Sequence, residues 1–154
     1  MKAISFMIIM FSNLIALQAQ ETDKFELYFS TYNHAEGIVD SYKITDKEIV
    51  VSVKALIEER DSIVYTSKIR QDVIEKIKSI NFQSLESYYY NNCILATSGK
   101  EYFIGFRYGI ILKRISLHHY YQKNIGYLIE LINLSVPGEY YIDYVKADTE
   151  QGCP

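Results

Sequence analysis

The chain has 154 residues and a formal net charge of −3, and it contains 15 tyrosines but no tryptophan. A mildly acidic chain is a poor ligand for nucleic acid, because the phosphate backbone repels it, and we expect no nucleic-acid partner. The length suits one domain with a single hydrophobic core, so a second domain is not expected.

The N-terminal residues have the pattern of a secretory signal peptide. Lys2 lies beside the N-terminal amine, and a mostly apolar run follows over residues 3–17. The run is too short for a membrane-spanning helix, which needs about 20 apolar residues. Because the small Ala19 suits the position before a cleavage site, we predict that residues 1–19 are removed as a cleavable signal peptide. Residues 20–154 would then be one domain, periplasmic or secreted, without a stable membrane anchor.

The first half of the mature chain is predicted to form four strands. Apolar and polar residues alternate in it with a period of two, which is typical of half-buried strands. Turn-forming residues separate the segments, so short turns would join them into an antiparallel meander. The predicted strands span residues 24–30, 38–45, 49–57 and 62–66.

Two segments have the hydrophobic period of a helix. The first follows the fourth strand, and the second is predicted over residues 122–133, before Pro137 and Gly138. Charged residues lie opposite the apolar stripe of the first helix, so it would pack one side against the sheet. The second helix would do the same with its inward residues Ile125, Leu128, Ile129 and Ile132. A short final strand is predicted over residues 139–145. The apolar stripe of the first helix consists of Ile69, Val73, Ile77 and Ile80.

A hairpin around Gly109 is predicted between the two helices. A two-residue turn at Tyr108 and Gly109 is favoured because it buries more apolar groups, although it requires a positive φ at Tyr108. A three-residue loop with a bulge would shift the second strand by one residue and bury Ile110 and Leu112 instead. The favoured register places on one face Tyr102, Ile104, Phe106, Ile111, Ile115 and Leu117.

This element order indicates the α+β class. The predicted architecture is an antiparallel sheet, composed of the four-strand meander, the hairpin and a short C-terminal strand. Two amphipathic helices would lie on one face of that sheet.

The chain has two cysteines, Cys93 and Cys153. An even number in an exported chain favours a disulfide bond, because the compartment is oxidising. The bond would hold the polar C-terminal tail against the turn that contains Cys93. Two free thiols, or a bond between two molecules, are the alternatives.

His118 and His119 are the strongest candidates for chemistry, because imidazole titrates near neutral pH and binds metals. Neighbouring residues of a strand point to opposite faces, so the two rings cannot bind one metal ion without a bend. In the favoured register His119 faces the core and His118 the solvent, while His34 lies in a distant turn. A structural or surface role is therefore favoured, with no cofactor and no metal site.

The tyrosine clusters suggest a recognition surface, since tyrosine combines apolar area with a polar tip. Tyr120, Tyr121, Tyr140 and Tyr141 are its candidate residues. The favoured function is thus a non-catalytic module that binds a protein or a glycan. One alternative is a small hydrolase that uses His118 or His119 with a carboxylate such as Glu101 or Asp143. The other is an inhibitor or immunity-type protein.

Three segments resemble small uncharacterised exported proteins of Bacteroidota-type bacteria. They are residues 88–93 (YYYNNC), 117–126 (LHHYYQKNIG) and 137–144 (PGEYYIDY), and the junction of Ala19 and Gln20 is similar to the signal-peptide ends of such proteins. The resemblance implies a bacterial envelope or secreted location. It implies no catalytic or binding residues.

Overall fold

The computed structural model describes residues 24–55, 61–91 and 99–144. The predicted signal peptide and both cysteines lie outside these residues. Within them, no helix is long and apolar enough to cross a bilayer. The strands are β1 (Phe25–Asn33), β2 (Ile38–Thr45), β3 (Glu48–Ala55), β4 (Ser62–Lys68), β5 (Tyr88–Tyr90), β6 (Lys100–Tyr108) and β7 (Ile111–His118), and the helices are α1 (Gln71–Lys78) and α2 (Lys123–Asn133).

The strands form a single sheet in the order β4-β3-β2-β1-β6-β7-β5. All neighbouring pairs are antiparallel except β5 and β7, which are parallel. The α+β class predicted from the sequence is therefore confirmed, but a purely antiparallel sheet is wrong. The parallel edge strand β5 has only three residues, Tyr88–Tyr90, and so short a segment has no measurable hydrophobic period.

One face of the sheet carries the hydrophobic core. In β1 the alternate residues Phe25, Leu27 and Phe29 are fully buried, because successive side chains point to opposite faces of a strand. They belong to the same buried cluster as the apolar residues of α1 and α2. Phe82, in the 3-10 turn Phe82–Ser84, extends this cluster by stacking on Phe106 at a centroid distance of 4.2 Å.

The hairpin of β6 and β7 has a two-residue turn at Gly109 and Ile110, since Tyr108 pairs with Ile111. The predicted turn at Tyr108 and Gly109 is therefore wrong by one position. The reason is backbone strain, because Gly109 has a φ of 57° and glycine adopts this conformation without a steric penalty. Ile110 and Leu112 are exposed, so the bulged alternative is excluded.

The C-terminal segment differs from the strand predicted over residues 139–145. Gly138–Tyr140 form a 3-10 turn, and the residues that follow, up to Tyr144, belong to no strand. Side chains hold this segment instead of a strand ladder. The Asn133 side chain donates to the carbonyl of Ile142 at 3.0 Å and accepts from its N–H at 2.9 Å. The Tyr102 hydroxyl donates to the carbonyl of Asp143 at 2.8 Å.

Candidate metal centre

Three potential metal ligands from separate parts of the chain meet on the sheet face opposite the helices. Glu101 in β6 lies directly across from His118 at the end of β7, so their side chains share one face. Glu101 also lies across from Tyr32 in β1. His34 follows the end of β1, where its backbone N–H donates to the carbonyl of Gly99 at 3.3 Å. Pairing of β1, β6 and β7 thus brings the three side chains together.

The distances within the cluster suit a small metal ion. Glu101 Oε1 is 2.9 Å from His118 Nδ1 and 3.4 Å from His34 Nε2. One ligand atom from each residue lies within 4.8 Å of the other two. Tetrahedral zinc with bonds of 2.0–2.1 Å places its ligand atoms about 3.3 Å apart. The three side chains therefore need only small rotations to bind one ion.

His118 is the most buried polar residue of the cluster, with 3% of its surface exposed. Both of its ring nitrogens, and Nε2 of His34, are buried without a hydrogen-bond partner in the described part of the chain. The 2.9 Å contact with Glu101 therefore does not have hydrogen-bond geometry. A buried polar atom without a partner costs about 1–3 kcal/mol of folding free energy. A metal ion bound to Nδ1 of His118 and Nε2 of His34 would supply the missing partner of those two atoms.

Aromatic rings hold the two imidazoles in position. His118 stacks on Tyr90 in the edge strand β5, with ring centroids 5.1 Å apart and an interplanar angle of 16°. His34 packs on Tyr32 at a centroid distance of 4.3 Å. Ligands that are held by their surroundings lose less conformational entropy when they bind a metal ion.

The structure corrects three predictions about the histidines. His34, which was placed in a distant turn, has its ring centroid 6.4 Å from that of His118. His118 is buried, although it was expected to face solvent. His119 was expected to face the core, but it leaves the strand with a φ of 48°. Its ring lies against Gly99, where a β-carbon would overlap it.

Sequence reasoning missed this cluster because it had no information about non-local strand pairing. Residues 34, 101 and 118 carry no recognisable metal-binding spacing. Only the pairing of β1 with β6 brings the turn that contains His34 next to the end of β7.

The tyrosines of the predicted recognition surface lie in different surroundings. Tyr120 packs on Tyr89, and Tyr121 stacks on Tyr144. Tyr140 packs on Tyr65 in β4. Its hydroxyl donates to the carbonyl of Val64 in the same strand. Tyr141 is largely exposed.

Tyr144 has a structural role that leads to a stability prediction. Its hydroxyl accepts from the backbone N–H of Gln122 at 2.8 Å and donates to the carbonyl of Tyr120 at 2.9 Å. Burial raises the pKa of Tyr144 well above its usual range, so the hydroxyl keeps its proton at neutral pH. Tyr144→Phe should lower the free energy of unfolding by about 1–3 kcal/mol, because a partly buried N–H loses its acceptor.

Urea unfolding of this variant would test the prediction, and Tyr141→Phe is the matched control. Tyr141 is exposed, so its hydroxyl can exchange with water, and the control should change stability by less than about 0.5 kcal/mol. Equal effects of the two substitutions would contradict the role given to Tyr144.

No protein-family model matches the chain, and no curated protein matches it either.

Proposed function

We propose that this protein binds a divalent transition-metal ion of the zinc type through His34, Glu101 and His118. The observation that carries the proposal is the buried imidazole of His118, whose nitrogens have no hydrogen-bond partner among the described residues. Nδ1 of His118 is 2.9 Å from Oε1 of Glu101, and Nε2 of His34 is 3.4 Å from the same oxygen.

The ligand chemistry favours zinc over magnesium or calcium. Imidazole nitrogen is a good ligand for zinc, whereas magnesium and calcium prefer sites made of oxygen ligands. Two histidines and one glutamate leave one position of a tetrahedral ion open for water or another ligand. With uncharged imidazoles the cluster carries the single negative charge of Glu101, which attracts a cation.

Zinc titration of the metal-free protein tests the proposal. After chelation and dialysis, calorimetry should give one zinc ion per chain. At a free zinc concentration of 100 times the dissociation constant, the free energy of unfolding should rise by about 2.7 kcal/mol. For a domain of this size, the thermal midpoint should then rise by roughly 8–10 °C.

Magnesium is the control cation, and it should neither bind with measurable heat nor raise the thermal midpoint. The absence of heat and of any thermal shift with zinc would contradict the proposal. Equal responses to zinc and magnesium would also contradict it, because the two imidazoles could not then be the ligands.

The functions expected from the sequence remain predictions beside this proposal. The hydrolase alternative needs a histidine next to a carboxylate, and the contact of His118 with Glu101 supplies such a pair. An open position on a bound zinc ion could also hold an activated water molecule. Binding of a protein or glycan through the tyrosines, inhibition of an enzyme, and export to the periplasm or the exterior are separate predictions that do not depend on the metal.

A further inference from the structure

A groove lies on the sheet face opposite the helices, beside the metal cluster and apart from its ligands. It spans β1, β6 and β7, is open to solvent and has a volume of about 570 Å³. Two of its lining residues lie next to the cluster: Phe103 follows Glu101 by two positions, and Ser116 precedes His118 by two positions, each on the same strand face. None of the three proposed metal ligands lines it.

The groove exists because Gly105 has no side chain in the middle of the sheet. Tyr28 in β1 and Arg114 in β7 lie directly across from Gly105 on its two sides, so their side chains form opposite walls. A β-carbon at Gly105 would meet only Cβ of Tyr28, at an ordinary contact distance of 3.7 Å. The sheet therefore has room for a β-carbon at this position, and atoms beyond it would enter the groove.

The walls combine apolar surface with positive charge. Tyr28, Phe103 and Leu112 line the groove and are 48%, 43% and 67% exposed. Large apolar side chains that are exposed together commonly mark a binding surface.

Three cationic residues surround these walls on the same face. Arg114 lines the groove, Arg107 pairs across from Leu112, and Lys43 pairs across from Tyr28. The nearby carboxylate of Glu26 forms an ion pair with Lys24 at 3.1 Å. The chain as a whole has a net charge of −3, whereas the residues that border the groove include these three cations.

From these features we infer that the groove binds a small anionic molecule with an aromatic or similarly flat apolar body. The apolar body would lie over Gly105 between Tyr28, Phe103 and Leu112, and its carboxylate or sulfonate would pair with Arg114. Binding sites for small molecules commonly have volumes of about 300–1,000 Å³, a range that includes this groove. This inference does not depend on the proposed metal site.

Two fluorescent probes of similar shape test the inference. One is anionic, 1-anilinonaphthalene-8-sulfonate, and the other is its uncharged relative, N-phenyl-1-naphthylamine. The folded wild-type protein should bind the anionic probe saturably with one molecule per chain. Arg114→Gln should weaken that binding by about tenfold, because a charge-assisted contact is lost. It should change the affinity for the uncharged probe by less than about twofold.

Gly105→Val is the second variant, and it should abolish saturable binding of both probes by filling the groove. Because the site has room and valine suits a strand, the variant should keep the circular dichroism spectrum and thermal midpoint of the wild type.

Arg70→Gln is the matched control for the charge removed by Arg114→Gln, since Arg70 is an exposed arginine that precedes α1. It should leave both affinities unchanged.

Several results would overturn the inference. They are failure of the wild type to bind the anionic probe, unchanged binding by folded Gly105→Val, and equal weakening by Arg114→Gln and Arg70→Gln. Binding should also persist in excess chelator, which separates this groove from the metal cluster. Loss of probe binding in chelator would overturn the groove as an independent site, whereas failure of zinc titration alone would affect only the metal proposal.

Discussion

His118→Phe is expected to lower the affinity for zinc by at least about 100-fold, because it removes a ligand without removing the ring. Substitutions that only disturb the groups around a metal ligand already cost 10–100-fold in affinity, so loss of a ligand should cost at least as much. The phenyl ring can keep the stacking on Tyr90 that the imidazole makes. Competition against a chromophoric zinc chelator would measure the change.

The same variant distinguishes a metal ligand from a merely structural histidine. Both ring nitrogens of His118 lack hydrogen-bond partners among the described residues. The substitution removes the 2.9 Å contact of Nδ1 with Glu101, but the carboxylate of Glu101 is partly exposed and can bind water instead. Replacing a buried unsatisfied polar group by an apolar group of similar shape is nearly neutral or stabilising. The metal-free variant should therefore be at least as stable as the metal-free wild type in urea unfolding.

His119→Asn is the matched control for this experiment. His119 is next in sequence and its ring contacts that of His118, with centroids 4.5 Å apart, but it is not among the proposed ligands. Asparagine tolerates the positive φ at this position. Because it disturbs a neighbour of a ligand and removes no ligand, the control should lose less than about 100-fold in zinc affinity, and clearly less than His118→Phe loses. Equal losses in both variants, or full zinc affinity in His118→Phe, would contradict the ligand assignment.

Phe82→Ala is expected to lower the free energy of unfolding by about 3–5 kcal/mol, the usual cost of truncating a buried phenylalanine. Phe82 is fully buried and stacks on Phe106 at 4.2 Å. The substitution removes the contact and leaves a cavity beneath β6. Since domains are stable by only about 5–15 kcal/mol, the loss should be obvious in urea unfolding.

Phe103→Ala, in the strand whose Phe106 stacks on Phe82, provides the comparison. Phe103 points to the opposite face of β6 from Phe106 and is partly exposed. Its truncation leaves no buried cavity, so the loss of stability should stay below about 1 kcal/mol. A loss in Phe103→Ala as large as that in Phe82→Ala would contradict the assignment of the core to the helix-bearing face.

Local periodicity was sufficient to identify the buried residues of several elements. The alternation of Phe25, Leu27 and Phe29 predicted a strand with one buried face, and these three residues are buried. The helical stripe that contains Val73 and Ile77 likewise identified the buried side of α1. These features are readable because a side chain's direction follows directly from the period of its own element.

Only the tertiary structure decided where the candidate metal centre lies. β1 pairs with β6 across more than 60 residues of sequence, and this pairing brings His34 to Glu101 and His118. The parallel edge strand β5 and the side-chain contacts that hold residues 141–144 are also long-range features. Hydrophobic alternation encodes which face of a strand is buried, but strand order depends on competition among distant segments, which no local pattern records.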